Sequence, residues 1–199
     1  MTGPELERLV ADLVDRKVAE RLDGLQTQVD DALSRLTAVE RGAQVERATL
    51  LVFSGEFDKL MTAFMVATGA VAMGLDVSMY FTFWGLTALR KGTIYEGKAM
   101  SEKMIASMLP SDPEAAPTSR MNMMGVGPKF FQRVMANKNV ESLPDMIRLA
   151  QEMGVKLIAC QMAMDVMGIV KDELIDGIEY GGVATYMGEA IDSKVTLLI

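Results

Sequence analysis

The stretch VKLIACQMAMDVMGIV, residues 155–170, decides how the chain is read. Val155, Leu157, Ile158 and Ala159 form a short apolar run after Gly154, a composition that predicts a strand buried on both faces. From Gln161 to Met167 the composition turns helical. Cys160 is the only cysteine, so the chain's one thiol falls at the carboxyl end of a strand and just before a helix amino terminus. Ligands and chemistry gather at that edge of an open α/β sheet. Backbone amides and the positive end of the helix dipole favour an anion there, and a thiolate is an anion. A lone cysteine is most often a small buried hydrophobe; its placement is what makes Cys160 a candidate nucleophile at the open rim of the sheet.

Outward from this stretch, strand and helix patterns alternate. Ala48–Phe53 is a continuous apolar run of strand length, Phe57–Met73 reads as a helix capped by Ser54 or Asp58, and Val77–Phe83 makes a second strand. The three form a βαβ unit, which implies a parallel sheet with a right-handed crossover. The turn after the first strand lacks both a P-loop and the spaced glycines of a dinucleotide site. Pro144–Met153 predicts a helix that feeds the Cys160 strand. Ile178–Tyr180, Gly181–Ile191 and Val195–Ile199 predict strand, helix and strand. The class is α/β: a three-layer sandwich with a mainly parallel sheet of four to five strands, preceded by an amino-terminal helix of coiled-coil type.

That helix occupies residues 1–46, and the α/β domain residues 47–199. Val18, Leu22, Leu25, Val29, Ala32, Leu36 and Val39 alternate steps of four and three, a heptad seam. Leu6, Val10 and Leu13 meet it out of phase, so a stutter is expected near Asp15. So narrow a stripe needs a partner, and self-association into a homo-oligomer is the preferred reading. Between the two halves of the sheet pattern lies an irregular insertion. Met100–Met108 reads as a short helix, Pro110, Pro113 and Pro117 mark a loop, and Phe130–Ala136 is helical. Residues 121–128, MNMMGVGP, read as a methionine-rich lid or as a loop tucked into apolar surface.

Composition narrows the function. With 20 basic against 27 acidic residues, a nucleic-acid partner is not expected. Histidine is absent, which removes Ser-His-Asp and Cys-His arrangements and the commonest transition-metal ligand. No cofactor or metal is expected, and the 18 methionines are first of all core filler. One cysteine cannot form an internal disulfide, and the charged start MTGPELERLVADLVDR does not read as a signal peptide, so the cytoplasm is the expected location. The uncharged run Leu60–Leu75 falls short of the ~20 residues a membrane-crossing helix needs, so a membrane is not an expected partner.

The segments LLVFSGEFDKLMTAFMVATGAVAMGLDVSMYFTFWG, LAQEMGVKLIACQMAMDVMGI and DGIEYGGVATYMGEA, in that order around a methionine-rich insertion, resemble the DsrE/DsrF/DsrH-like family, in particular its stand-alone, methionine-rich branch. The resemblance covers residues 48–199. It implies a parallel-sheet fold, oligomeric assembly, and a carrier cysteine that holds sulfane sulfur as a persulfide, a role that falls on Cys160. It also implies exchange with a TusA-like carrier protein or a rhodanese-like donor, and so a sulfurtransferase. Gln161, Met162, Ser54, Gly55 and Trp84 are the candidate lining of such a site. Asp165 and Lys156 are assigned no role. The alternatives are a non-enzymatic oligomeric assembly or thiol-sensing module with an inert structural cysteine and, more weakly, a phosphate-binding protein using Gly181-Gly182.

Overall fold

The computed structural model describes residues 16–18, 21–26, 28–35 and 46–199, with Met124 described for its backbone only. The chain divides into two compact units, Met1–Gln44 and Val45–Ile199. In the first unit the described residues are helical. Val18, Leu22, Leu25 and Val29 along the seam are each half-exposed or more, and Asp31 pairs with Arg35 one turn on at 3.0 Å. Leu6, Val10, Leu13, Leu36, Val39 and the stutter at Asp15 lie outside the described residues.

The second unit is built on five strands: β1 (Arg47–Val52), β2 (Asp76–Phe81), β3 (Lys156–Cys160), β4 (Glu179–Gly181) and β5 (Val195–Leu198). Their order is β4-β3-β2-β1-β5, and every neighbouring pair is parallel. Parallel strands need crossovers that cover the sheet with helices, so central strands lose both faces to the core. The uninterrupted apolar runs are the result: Leu50 and Val52, Val77, Met79 and Phe81, and Leu157–Cys160 are all buried. Helix α1 (Phe57–Ala72) lays Phe57, Leu60, Ala63, Phe64 and Ala67 on the sheet at three- and four-residue spacing, and Phe64 stacks on Phe81 with ring centroids 5.9 Å apart.

The insertion holds α2 (Met100–Met108) and α3 (Val126–Asn137). Helix α3 begins earlier than the apolar pattern suggests, because Gly125 at φ +87° reverses the chain and Pro128 is tolerated in a first turn, where amides lack partners anyway. Residues 121–128 therefore form a 3-10 turn and a helix start, with Met121 and Met123 exposed rather than tucked in. Helix α4 (Leu143–Glu152) is capped by Ser142, whose hydroxyl accepts the Asp145 amide at 3.3 Å. Helix α5 (Gln161–Met167) follows β3 directly, and α6 (Val183–Ile191) crosses to the far edge at β5. After β2 a 3-10 helix runs over Phe83–Leu89 and is buried from Gly85 onward. A Cβ on Gly85 would meet the Val52 carbonyl oxygen at 2.2 Å, so only glycine lets this segment lie against the end of β1.

One buried ionic group fixes the loops beside α5. Glu173, fully buried, accepts from Lys98 Nζ at 2.8 Å on both oxygens, from the Ile94 amide at 2.7 Å, from the Val170 amide at 2.9 Å and from Arg90 at 3.4 Å. Burial pushes its carboxyl up, but the Lys98 ammonium and the two amides outweigh that and hold it below the ordinary carboxylate value. A depressed carboxylate adds stability above its unfolded pKa and loses it as pH falls through the folded one, so this group weakens the fold only in acid. Glu173→Gln leaves two cations buried beside a neutral amide. It is expected to lower the unfolding free energy in urea at neutral pH by about 3–5 kcal/mol. A loss below about 1 kcal/mol, the range of exposed pairs, would show that the group does not pin the loops.

Candidate functional site

Cys160 is both the last residue of β3 and the N-cap of α5, with φ −71° and ψ 110°. The strand ends there because the next residues turn into helix; the sulfur makes no side-chain cap hydrogen bond, but the Met162 and Ala163 amides of that first turn lie near enough to favour its anion. Two hydroxyls come from the neighbouring strand, where Tyr80 near the end of β2 and Thr82 just beyond it lie beside the sulfur and favour its anion. On the other side Gly181 of β4 is the register partner of Cys160, and its carbonyl oxygen lies 3.4 Å from the Tyr80 hydroxyl. The Tyr80 ring is itself held by Tyr186, with centroids 5.4 Å apart.

The thiol is 1 % exposed in the single chain. It lies at the carboxyl edge of the sheet but is not open there: it is buried as a member of the hydrophobic core, with the Tyr80 and Thr82 hydroxyls and the first turn of α5 as its polar neighbours. Burial alone would raise the thiol pKa, and it is the largest single influence. The Tyr80 hydroxyl, the Ala163 amide, the Thr82 hydroxyl and the Met162 amide together overcome it, so the thiol ionises more readily than an ordinary cysteine. Tyr80 responds in the opposite sense: burial first, and then the sulfur beside it, push its phenol well above the ordinary value. It therefore stays protonated, and its hydroxyl donates to the Gly181 carbonyl.

The residues expected to line the site fall into two groups. Gln161 and Met162 are exposed on the first turn of α5, directly after the sulfur. Ser54, Gly55 and Trp84 meet elsewhere on the same edge, in a cavity of about 210 Å³ walled also by Glu56, Thr87, Pro110 and Pro117; Cys160, Gln161 and Met162 are not in its wall. The two places are joined by the backbone after β2, where the Thr82 amide bonds Val52 at 3.0 Å and the Gly85 amide bonds Phe53 at 3.0 Å. Sequence reasoning missed Tyr80 and Thr82. Their signal was a tyrosine and a threonine ending the apolar run VSMYFTF, but only the β2–β3 register, with Phe81 opposite Ala159, brings them to the sulfur. Lys156, at the other end of β3, is paired with Glu189 at 2.8 Å in a cluster with Arg47 and Ser78, remote along the strand from Cys160. Among the described residues no group of three Cys, Asp or Glu side chains is placed to hold a metal ion.

Comparison with known proteins places this geometry in context. The model of the DsrE/DsrF/DrsH-like family matches residues 44–198. The uncharacterized protein YrkE of Bacillus subtilis is 44% identical over 157 residues, spanning 78% of this chain and 98% of YrkE. The sulfur carrier protein DsrE2 of Allochromatium vinosum is 30% identical over 156 residues, spanning 77% of this chain and 98% of DsrE2. Among solved structures, the crystal structure of the ychN protein from E. coli aligns with a TM-score of 0.46 at 14% identity, covering 77% of this chain and 99% of that one.

Tyr80→Phe removes the hydroxyl beside the sulfur and keeps the ring. It is expected to raise the pKa of the Cys160 thiol, read as the pH at which thiolate absorbance appears in the folded protein. An unchanged titration would mean that the hydroxyl serves the Gly181 carbonyl alone.

Proposed function

The chain belongs to the DsrE/DsrF/DrsH-like family, and from that premise we propose that it is a sulfur carrier holding sulfane sulfur as a persulfide on Cys160. The observation that carries this reading is the placement of the only thiol in the chain at the β3–α5 junction, beside the Tyr80 and Thr82 hydroxyls and the first-turn amides of α5, which favour its anion despite burial. The 30% identity to the A. vinosum sulfur carrier protein DsrE2 supports the same reading.

In the proposed step the Cys160 thiolate attacks the outer sulfur of a donor persulfide. A bond forms between Sγ and that sulfur, the donor's sulfur–sulfur bond breaks, and its electron pair leaves with the donor thiolate. No external oxidant is consumed, because one persulfide replaces another. The amides of Met162 and Ala163 and the hydroxyls of Tyr80 and Thr82 then serve the new anion as they served the old one. With no second cysteine in the chain, no internal thiol can discharge the persulfide as a disulfide. Donor and acceptor are proposed to be a rhodanese-like protein and a small TusA-like carrier in the cytoplasm, with Gln161 and Met162 at the point of contact. The amino-terminal helix, residues 1–46, is proposed to assemble copies of the 47–199 domain through its seam.

Entry to a covered thiol requires a local movement. The segment after β2 is the candidate cover: Phe83, next to Thr82, holds φ +46°, a left-handed conformation costly for an aromatic residue. Reduced protein incubated with inorganic polysulfide is expected to gain the mass of one sulfur atom, removable by reductant, and Cys160→Ser is expected to gain none. Uptake by the serine variant, or none by the parent protein, would leave the cysteine as an inert part of the core.

A further inference from the structure

Helix α3 is turned inside out for a helix of a globular domain. Only Gly127 and Pro128 of its residues are buried, and Gln132, Met135 and Ala136 face Phe57 across a cavity at the start of α4. Its bulky apolar residues point the other way. Val126, Phe130 and Val134, at four-residue spacing, are 63%, 62% and 42% exposed, with Phe131 at 50% and Met123, in the turn before the helix, at 68%. An ordinary surface helix buries its apolar stripe, so this one is not spent on the fold.

The charge of the same segment is equally one-sided. Between Glu114 and Glu141 there is no acidic residue, whereas Arg120, Lys129, Arg133 and Lys138 are all basic, in a chain of net charge −7. All four are exposed and none forms a salt bridge among the described residues. Lys129 and Arg133 adjoin the Val126-Phe130-Val134 ridge along the helix.

We propose that α3 and the turn before it form a peripheral docking surface for an anionic lipid bilayer. Phe130, Phe131, Val126 and Met123 would enter the interface while the basic side chains meet headgroup phosphates. Protruding aromatic residues flanked by cations on one short helix are what an interfacial helix requires. An acidic protein face is served less well, because the ridge is a convex helix face and not a groove. No crossing is involved: no described helix is long and apolar enough to span a membrane.

The full-length protein is tested by co-flotation with phosphatidylcholine vesicles, with and without phosphatidylglycerol. Binding is expected only with the anionic lipid, weakening as salt is added. Lys129→Glu with Arg133→Glu should weaken it at least about tenfold, and Phe130→Ser with Phe131→Ser should do the same while leaving the unfolding transition unchanged, since both rings are exposed. Failure to float with anionic vesicles, or flotation indifferent to both double variants, would overturn the proposal. So would a phenylalanine double variant that sediments as a smaller assembly than the parent, because the ridge would then be occupied by a second copy.

Discussion

A thiol removed from water can carry charge only where fixed donors stand in for the lost solvent. Around Cys160 three separate pieces of chain meet. The end of β2 brings the Tyr80 and Thr82 hydroxyls, α5 brings two amides of its first turn, and β4 brings the Gly181 carbonyl, which accepts the Tyr80 hydroxyl. None of these pieces can be moved alone. Their relative placement is the register of three parallel strands, and that register is held at β2 and β3 because both lose their faces to packed side chains. Gly181 shows how tight the arrangement is: a Cβ there would meet the Thr185 side chain at 2.5 Å.

The sheet is rigid where the strands are continuous and more adjustable where they end. The elements beside the sulfur are chain ends in this sense: a seven-residue helix and a threonine just past its strand, followed by Phe83 in a left-handed conformation. Behind α5 the opposite holds, since the buried Glu173–Lys98–Arg90 group ties the loops at residues 90–98 and 170–174 together. A stiff floor with a looser roof suits a group that must be sheltered from solvent and still meet a partner.

Much of this was legible before any coordinates. Central parallel strands read as unbroken apolar runs, so β1, β2 and β3 declared themselves, and Gly154 and Gly168 bracketed the strand–helix junction around Cys160. What the sequence does not carry is register and order. Nothing in VTLLI says that β5 returns to the far side of β1, and nothing in VSMYFTF says that its tyrosine faces a cysteine two strands' worth of chain away. Lys171–Ile175 reads as a short helix with nothing to mark Glu173 as buried; its burial depends on Lys98 arriving from the insertion. Residues 121–128 were ambiguous because methionine packs as readily as it protrudes, and only Gly125 in its left-handed conformation, followed by α3, settled the matter.

The central claim is that the Cys160 sulfur is a sheltered anion reached by a local opening. It is tested most directly by the rate at which iodoacetamide labels the native protein at neutral pH as sub-denaturing urea is added. A rate nearly independent of urea and faster than global unfolding is the expected result. A rate that rises as steeply with urea as unfolding itself would mean that the thiol is exposed only when the whole fold opens, and would contradict a carrier role.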